Sequence, residues 1–185
     1  MYSKIKNSLF VCLLFLATNA VAQQSIYTVS TARNKQDIKQ EFPFDIKLKT
    51  MDKKETSTDK VFKTNGKPLV VVFWLTTCFP CRMELDALKA KYPVWKKETP
   101  FELVALSYDF PHNEENIYKR VQEEQWPFAT YWDFNKEFGS VLPGELNGLP
   151  QVFVFDGQGK LVYQKRKYMP GDEDILYAKV KEFSK

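Results

Sequence analysis

One stretch constrains this chain more than any other: Leu69-Val70-Val71-Val72-Phe73-Trp74-Leu75, an unbroken apolar run. Its length and β-branched content suit a strand buried on both faces, as in a parallel strand covered by helices. Thr76 and Thr77 follow, and Cys78-Phe79-Pro80-Cys81 then opens a stretch that reads as helix from about Phe79 to Lys97. Two cysteines thus fall where a strand hands over to a helix. A thiol at that joint meets unpaired backbone N–H groups and the positive end of the helix dipole, both of which favour a thiolate. Its partner, three residues on, lies about one helical turn away, close enough to close a small disulfide ring.

The first 22 residues read as a cleaved secretory signal. Lys4 and Lys6 form a basic head, Leu9 to Ala17 an apolar core, and Ala20-Val21-Ala22 a small-x-small cleavage site with Gln23 as the mature start. The apolar core is short for a membrane span, and the competing reading is an uncleaved anchor. Cys12 follows Val11 rather than a small residue, so a lipid-attachment site is disfavoured, and it leaves with the signal. The mature chain then keeps only Cys78 and Cys81. A secreted domain stapled by disulfides carries more cysteines, further apart, and a bridge this tight removes little loop-closure entropy. An accessible low-pKa thiol beside a second thiol is instead the requirement for thiol–disulfide exchange.

Other chemistries fit less well. Net charge is +4, and without Lys4 and Lys6 the chain has 25 basic against 23 acidic residues, a mixed surface with no footing for nucleic acid. A closed zinc site needs four ligands and His112 is the only histidine, placed beside Pro111 in a surface loop. A Cu(I) site of two thiolates, in a non-catalytic metallochaperone, stays open as the alternative. The peroxidatic pattern Pro-x-x-x-Thr/Ser-x-x-Cys fails at Val71 and Leu75.

The rest of the chain reads as follows. Residues 23–41 are a polar N-terminal extension with an edge strand near Ser25–Thr31, and Phe42–Lys49 alternates as a half-buried strand. Lys53–Thr58 is a polar turn and Asp59–Lys63 a single helical turn. In the helix after the cysteines, Met83, Leu85, Leu88 and Tyr92 share an inward face, and Pro93 should kink or interrupt it. Strands follow at Glu102–Ser107 and Trp126–Trp132, around a polar helix at Asn113–Gln125 that carries Ile117 and Val121 inward with Asn113 as its cap. Trp126, Tyr131 and Trp132 serve equally as core or as a substrate platform. A helical turn at Phe134–Phe138 precedes a hairpin, Gln151–Phe155 and Lys160–Gln164, turning at Asp156-Gly157. A closing helix, Asp172–Phe183, turns Ile175, Leu176, Val180 and Phe183 inward. This order describes an α/β domain with a central mixed sheet.

The run Phe73-Trp74-Leu75-Thr76-Thr77-Cys78-Phe79-Pro80-Cys81-Arg82-Met83-Glu84 resembles the active-site stretch of thioredoxin-like proteins, and is most similar to the exported TlpA/ResA-type thiol–disulfide oxidoreductases. Gly148-Leu149-Pro150-Gln151-Val152-Phe153 resembles that family's second signature, Gly-x-Pro-x-x-Phe with a cis-proline. The resemblance spans roughly residues 42–183. It implies a thioredoxin-like fold over residues 42–185, with Cys78 attacking a substrate disulfide and Cys81 resolving the mixed disulfide. Glu84 matches an active-site glutamate that handles the thiol proton; by the residues alone, an ordinary first-turn acid is the alternative. The dipeptide Phe79-Pro80 would tune redox poise, and Phe79 would also touch substrate. Leu149, before a cis Pro150, would offer its backbone to an extended substrate. Thr77 replaces the usual tryptophan before the first cysteine, and Val72 replaces the buried acid of cytoplasmic thioredoxins. The resemblance further implies a periplasmic, cofactor-free disulfide reductase. Its partners would be exported proteins with disulfides, apo-cytochrome c among them, and a membrane thiol transporter as electron donor. Monomer is the default, with membrane contact only through an uncleaved signal.

Overall fold

The computed structural model describes residues 41–42, 45–62 and 65–184. The signal segment, the edge strand at Ser25–Thr31 and nearly all of the 23–41 extension lie outside the described residues. In chain order come β1 (Lys47–Thr50), β2 (Glu55–Ser57), α1 (Thr58–Val61), β3 (Leu69–Trp74), α2 (Phe79–Glu98) and β4 (Glu102–Ser107). A 3-10 turn (Pro111–Asn113), α3 (Glu114–Glu124), β5 (Ala129–Trp132), α4 (Phe138–Val141), β6 (Gln151–Phe155), β7 (Leu161–Arg166) and α5 (Asp172–Glu182) complete it.

Among the described residues the strands form one seven-stranded sheet, ordered β2-β1-β5-β4-β3-β6-β7. Strands β3, β4 and β5 run parallel, while β6 and β7 on one side and β1 and β2 on the other pair antiparallel. The sheet is therefore mixed, with β3 well inside it. All six residues of β3 are buried. Val70, Val72 and Trp74 pack with Leu85, Leu88 and Trp95 of α2 and with Leu176, Tyr177 and Val180 of α5. Leu69, Val71 and Phe73 face the other way, onto Phe42, Ile46, Phe138 and Leu146. Each such side chain contributes about 1.5–3 kcal/mol when fully buried, so a polar residue on either face of β3 would be strongly destabilising. That two-sided burial is the physical reason for the uninterrupted apolar run.

Several local expectations need correction. Glu55–Ser57, expected to be turn, is strand β2, because Lys47, Leu48 and Lys49 of β1 offer ladder partners that a polar segment can use as well as an apolar one. The strand expected over Phe42–Lys49 begins only at Lys47, with residues 43–44 outside the described set. Helix α2 runs through Pro93 without interruption. Pro93 is on the exposed side, where the carbonyl it leaves unpaired can meet water. Met83 and Ile175 face solvent rather than the core. Helix α3 has no side-chain cap: Asn113 Oδ1 accepts the Asn116 amide at 3.4 Å rather than a backbone N–H, while the Asn113 amide donates to Asp109 Oδ1 at 3.2 Å. Strand β5 starts three residues later than expected, after Pro127, which has no N–H to give a ladder. The helical turn moves from Phe134–Phe138 to α4, because both carboxylate oxygens of Asp133 take N–H groups at the later point: Glu137 at 2.9 Å and Phe138 at 3.0 Å. The hairpin turn spans Asp156 to Gly159, and Asp156 Oδ1 accepts the N–H of Gln158 and of Lys160.

Candidate active site

The segment leaving β3 is pinned at three points. Tyr108 N–H donates to Trp74 O at 2.8 Å, and Cys78 N–H to Leu75 O at 3.1 Å. Between them, Thr76 gives its N–H and its hydroxyl to the Asp109 carboxylate, at 2.9 and 2.7 Å. This sets Cys78 as the N-cap of α2, where its Sγ accepts the Cys81 N–H at 3.2 Å. Pro80 lies within the first helical turn, where a missing N–H is harmless, and that turn holds no acidic residue to repel a thiolate. Cys78 and Cys81 are joined in a disulfide, Cα to Cα 5.3 Å. The two sulfurs are unequal: Cys78 is half-buried, while Cys81 is fully sealed in the core. Phe79 stands 62% exposed beside them, with the Arg82 guanidinium 5.5 Å from its ring centre.

Glu84 lies one turn beyond Cys81 and is only 3% exposed. Burial pushes its carboxyl up to about 8; the negative field of Asp172 adds to the rise, Lys165 opposes it, and Glu173 adds a smaller push. Its Oε2 has no hydrogen-bond partner among the described residues. A solvated first-turn acid would look different. Nearby, Lys165 Nζ and Asp172 Oδ2 pair at 2.5 Å. Neither Lys165 nor Asp172 carried a signal in the sequence, because only the return of β7 and α5 onto α2 brings them to Glu84.

The Leu149–Pro150 peptide bond is cis. Gly148 before it has φ +78°, a conformation that suits glycine, and Pro150 O accepts the Lys167 N–H at 2.8 Å. Phe73 pairs with Gln151 across the sheet, so Pro150 comes level with the end of β3. Thr77 lines a cleft with Thr76 and with Asn116, Lys119, Arg120 and Glu123 of α3. His112 is a surface residue stacked on Phe110. Trp126 and Trp132 are core, and Tyr131 is half-buried.

The profile of the AhpC/TSA family matches residues 38–164. The chain belongs to the AhpC/TSA family. Among solved structures similar to this AhpC/TSA chain is an uncharacterized thioredoxin-like protein from Porphyromonas gingivalis, 32% identical, with TM-score 0.65, covering 77% of this chain and 91% of that one. A putative thiol:disulfide interchange protein DsbE from Chlorobium tepidum is 19% identical with TM-score 0.67, over 80% and 99% of the two chains. The thioredoxin domain of a thiol-disulfide oxidoreductase from Bacteroides vulgatus is 24% identical with TM-score 0.61, over 82% and 100%. No curated protein matches. The neighbours show a thioredoxin-like fold, and membership of the AhpC/TSA family supports thiol–disulfide oxidoreductase activity. Within the AhpC/TSA family this chain still lacks the peroxidatic pattern, since Val71 and Leu75 stand where it needs Pro and Thr or Ser. Among the described residues no helix is long and apolar enough to cross a membrane.

Proposed function

We propose that this protein is an exported thiol–disulfide oxidoreductase, acting as a reductase of disulfides in other exported proteins. One observation carries the reading: the inequality of the two sulfurs, Cys78 reachable at a helix N-terminus and Cys81 sealed behind it. In the reduced form the Cys78 thiolate attacks one sulfur of a substrate disulfide. A Cys78–substrate bond forms, the substrate S–S bond breaks, and the second substrate sulfur leaves as a thiolate that takes a proton from water. Cys81 then passes its proton to the Glu84 carboxylate, one turn away, and attacks Cys78 Sγ. The Cys78–Cys81 bond forms and the first substrate sulfur is released, so two electrons have passed to the substrate. A dithiol donor, a membrane thiol transporter by resemblance, runs the sequence backwards, with protonated Glu84 returning its proton to Cys81. No cofactor enters.

Leu149, ahead of the cis bond, would give its backbone to an extended substrate segment. Phe79 and Pro80 would supply apolar contact, and the cleft at Thr77 would receive a side chain flanking the substrate cysteine. Export and a periplasmic location rest on residues 1–22.

The test is Cys81→Ser, mixed with a disulfide-bonded test protein. The variant should accumulate a covalent adduct at Cys78 that dithiothreitol releases, while the unmodified protein turns over with dithiothreitol as electron source. No adduct and no turnover would end the reading. Equilibration with glutathione sets the direction: a potential near roughly −270 mV marks a reductant, one near roughly −120 mV an oxidant.

A further inference from the structure

We infer that Asp109 is the positioning residue of the dithiol loop, and that its charge restrains Cys78 from becoming too stable a thiolate. Asp109 sits at the end of β4, 1% exposed. Its Oδ2 accepts the Thr76 N–H at 2.9 Å and the Ser107 hydroxyl at 2.9 Å. Its Oδ1 accepts the Thr76 hydroxyl at 2.7 Å and the Asn113 amide at 3.2 Å. Four donors fill the acceptor positions of a carboxylate, and the Asp109 carbonyl takes the Trp132 indole N–H at 3.0 Å as well. One side chain therefore ties the β3–α2 loop to the end of β4 and to the turn before α3, while its backbone reaches β5.

Two consequences follow for Cys78. The bonds to Thr76 hold the chain two residues before the sulfur, so the N-cap geometry does not depend on the loop's own stiffness. The buried charge works against the helix: the N-terminus of α2 favours a thiolate, and a carboxylate tied two residues away disfavours it. Strand β3 supplies no acid here, since Val70, Val72 and Trp74 are apolar. Among the described residues, the ionisable groups about this loop include Arg82 and Glu84 on α2, Lys119, Arg120 and Glu123 on α3, and Lys136, whose field meets that of Asp109. This role rests on the dithiol exchange proposed above.

The experiment follows the rate of alkylation of Cys78 by iodoacetamide against pH, in the reduced protein, for Asp109→Asn and Thr76→Val. In Asp109→Asn the midpoint should fall by about one pH unit, and the protein equilibrated with glutathione should shift severalfold toward its reduced form. In Thr76→Val the charge remains, so the midpoint should stay put while kcat/KM falls severalfold. A midpoint in Asp109→Asn that is unchanged or higher overturns the inference. Should that variant not fold, the unmodified protein decides: a midpoint near about 7 supports restraint, and one near about 3.5 refutes it. Alkylation needs no disulfide exchange. A shifted midpoint in a protein that reduces no test disulfide would therefore sink the proposed function and leave this inference standing.

Discussion

Replacing Cys78 with serine should remove disulfide reductase turnover, by on the order of a thousandfold or more. A serine hydroxyl is not ionised near neutrality and forms no disulfide, so neither the attack nor the mixed disulfide survives. Cys81 cannot take over, because it has no exposed surface and its sulfur faces the core. Loss of folding is not the explanation to expect. The cross-link spans a separation of three residues, and a loop that small is worth about 2 kcal/mol in the chain-entropy account. Cys78→Ser and Cys81→Ser lose the same cross-link, and Cys81→Ser should melt the lower of the two because it also buries a hydroxyl in the core. Their chemistry should differ too: the first makes no adduct with a disulfide substrate, and the second makes one and holds it. A disulfide-linked adduct formed by Cys78→Ser, or none formed by Cys81→Ser, would overturn the assignment of Cys78 as the attacking sulfur.

Glu84→Gln should stabilise the protein in mild alkali and slow it at every pH. The carboxyl titrates near 8 in the folded chain, against 4.5 as the ordinary value, because burial disfavours its ionised form. Between those values the unfolded chain gives up a proton that the folded chain retains. Stability therefore falls as pH rises from about 4.5 to 8, by about 1.4 kcal/mol for each pH unit separating the two values, a total on the order of 5 kcal/mol. A glutamine side chain at this position cannot ionise and loses nothing over that range. The variant and the unmodified protein should thus melt alike near about pH 5, with the variant ahead by several kcal/mol at about pH 8.5. Asp133, raised by burial to about 6, tilts both curves in the same sense and cancels in the comparison. Turnover should drop by about a hundredfold, a usual range for loss of a positioned acid–base group, and the activity profile should lose its inflection near about 8. An unchanged profile with the stability gain intact would make Glu84 a buried passenger.

The centre of this molecule was open to reading because its physics is local. Two-sided burial demands an apolar run, and a cysteine pair at the strand–helix joint needs only its own helix to fix it. The cis bond at Pro150 came from a likeness of signature rather than from any local rule. What stayed hidden depends on distance. Asp109 is an ordinary acid in a loop until the parallel pairing of β3 with β4 sets it beside Thr76, 33 residues earlier. Lys165 and Asp172 reach Glu84 only once β7 and α5 have closed over α2. Strand β2 was hidden for another reason: its polar residues are held through backbone pairing, which leaves no mark in hydropathy. Met83 and Ile175 show the limit of helical periodicity, which gives the width of an apolar face but not which flanking residue the neighbours reach.

In the exchange proposed above, the sealing of Cys81 also fixes the topology of every encounter. An outside thiol or disulfide can join this protein at one sulfur only, so each covalent partner is held at Cys78 with Cys81 one turn behind it. Escape is then an intramolecular event, and its rate does not depend on how much glutathione or other thiol surrounds the protein. Such a chain carries its own timer. A wrong partner is shed as quickly as the buried sulfur can be deprotonated, and the same clock bounds how long a right one can stay.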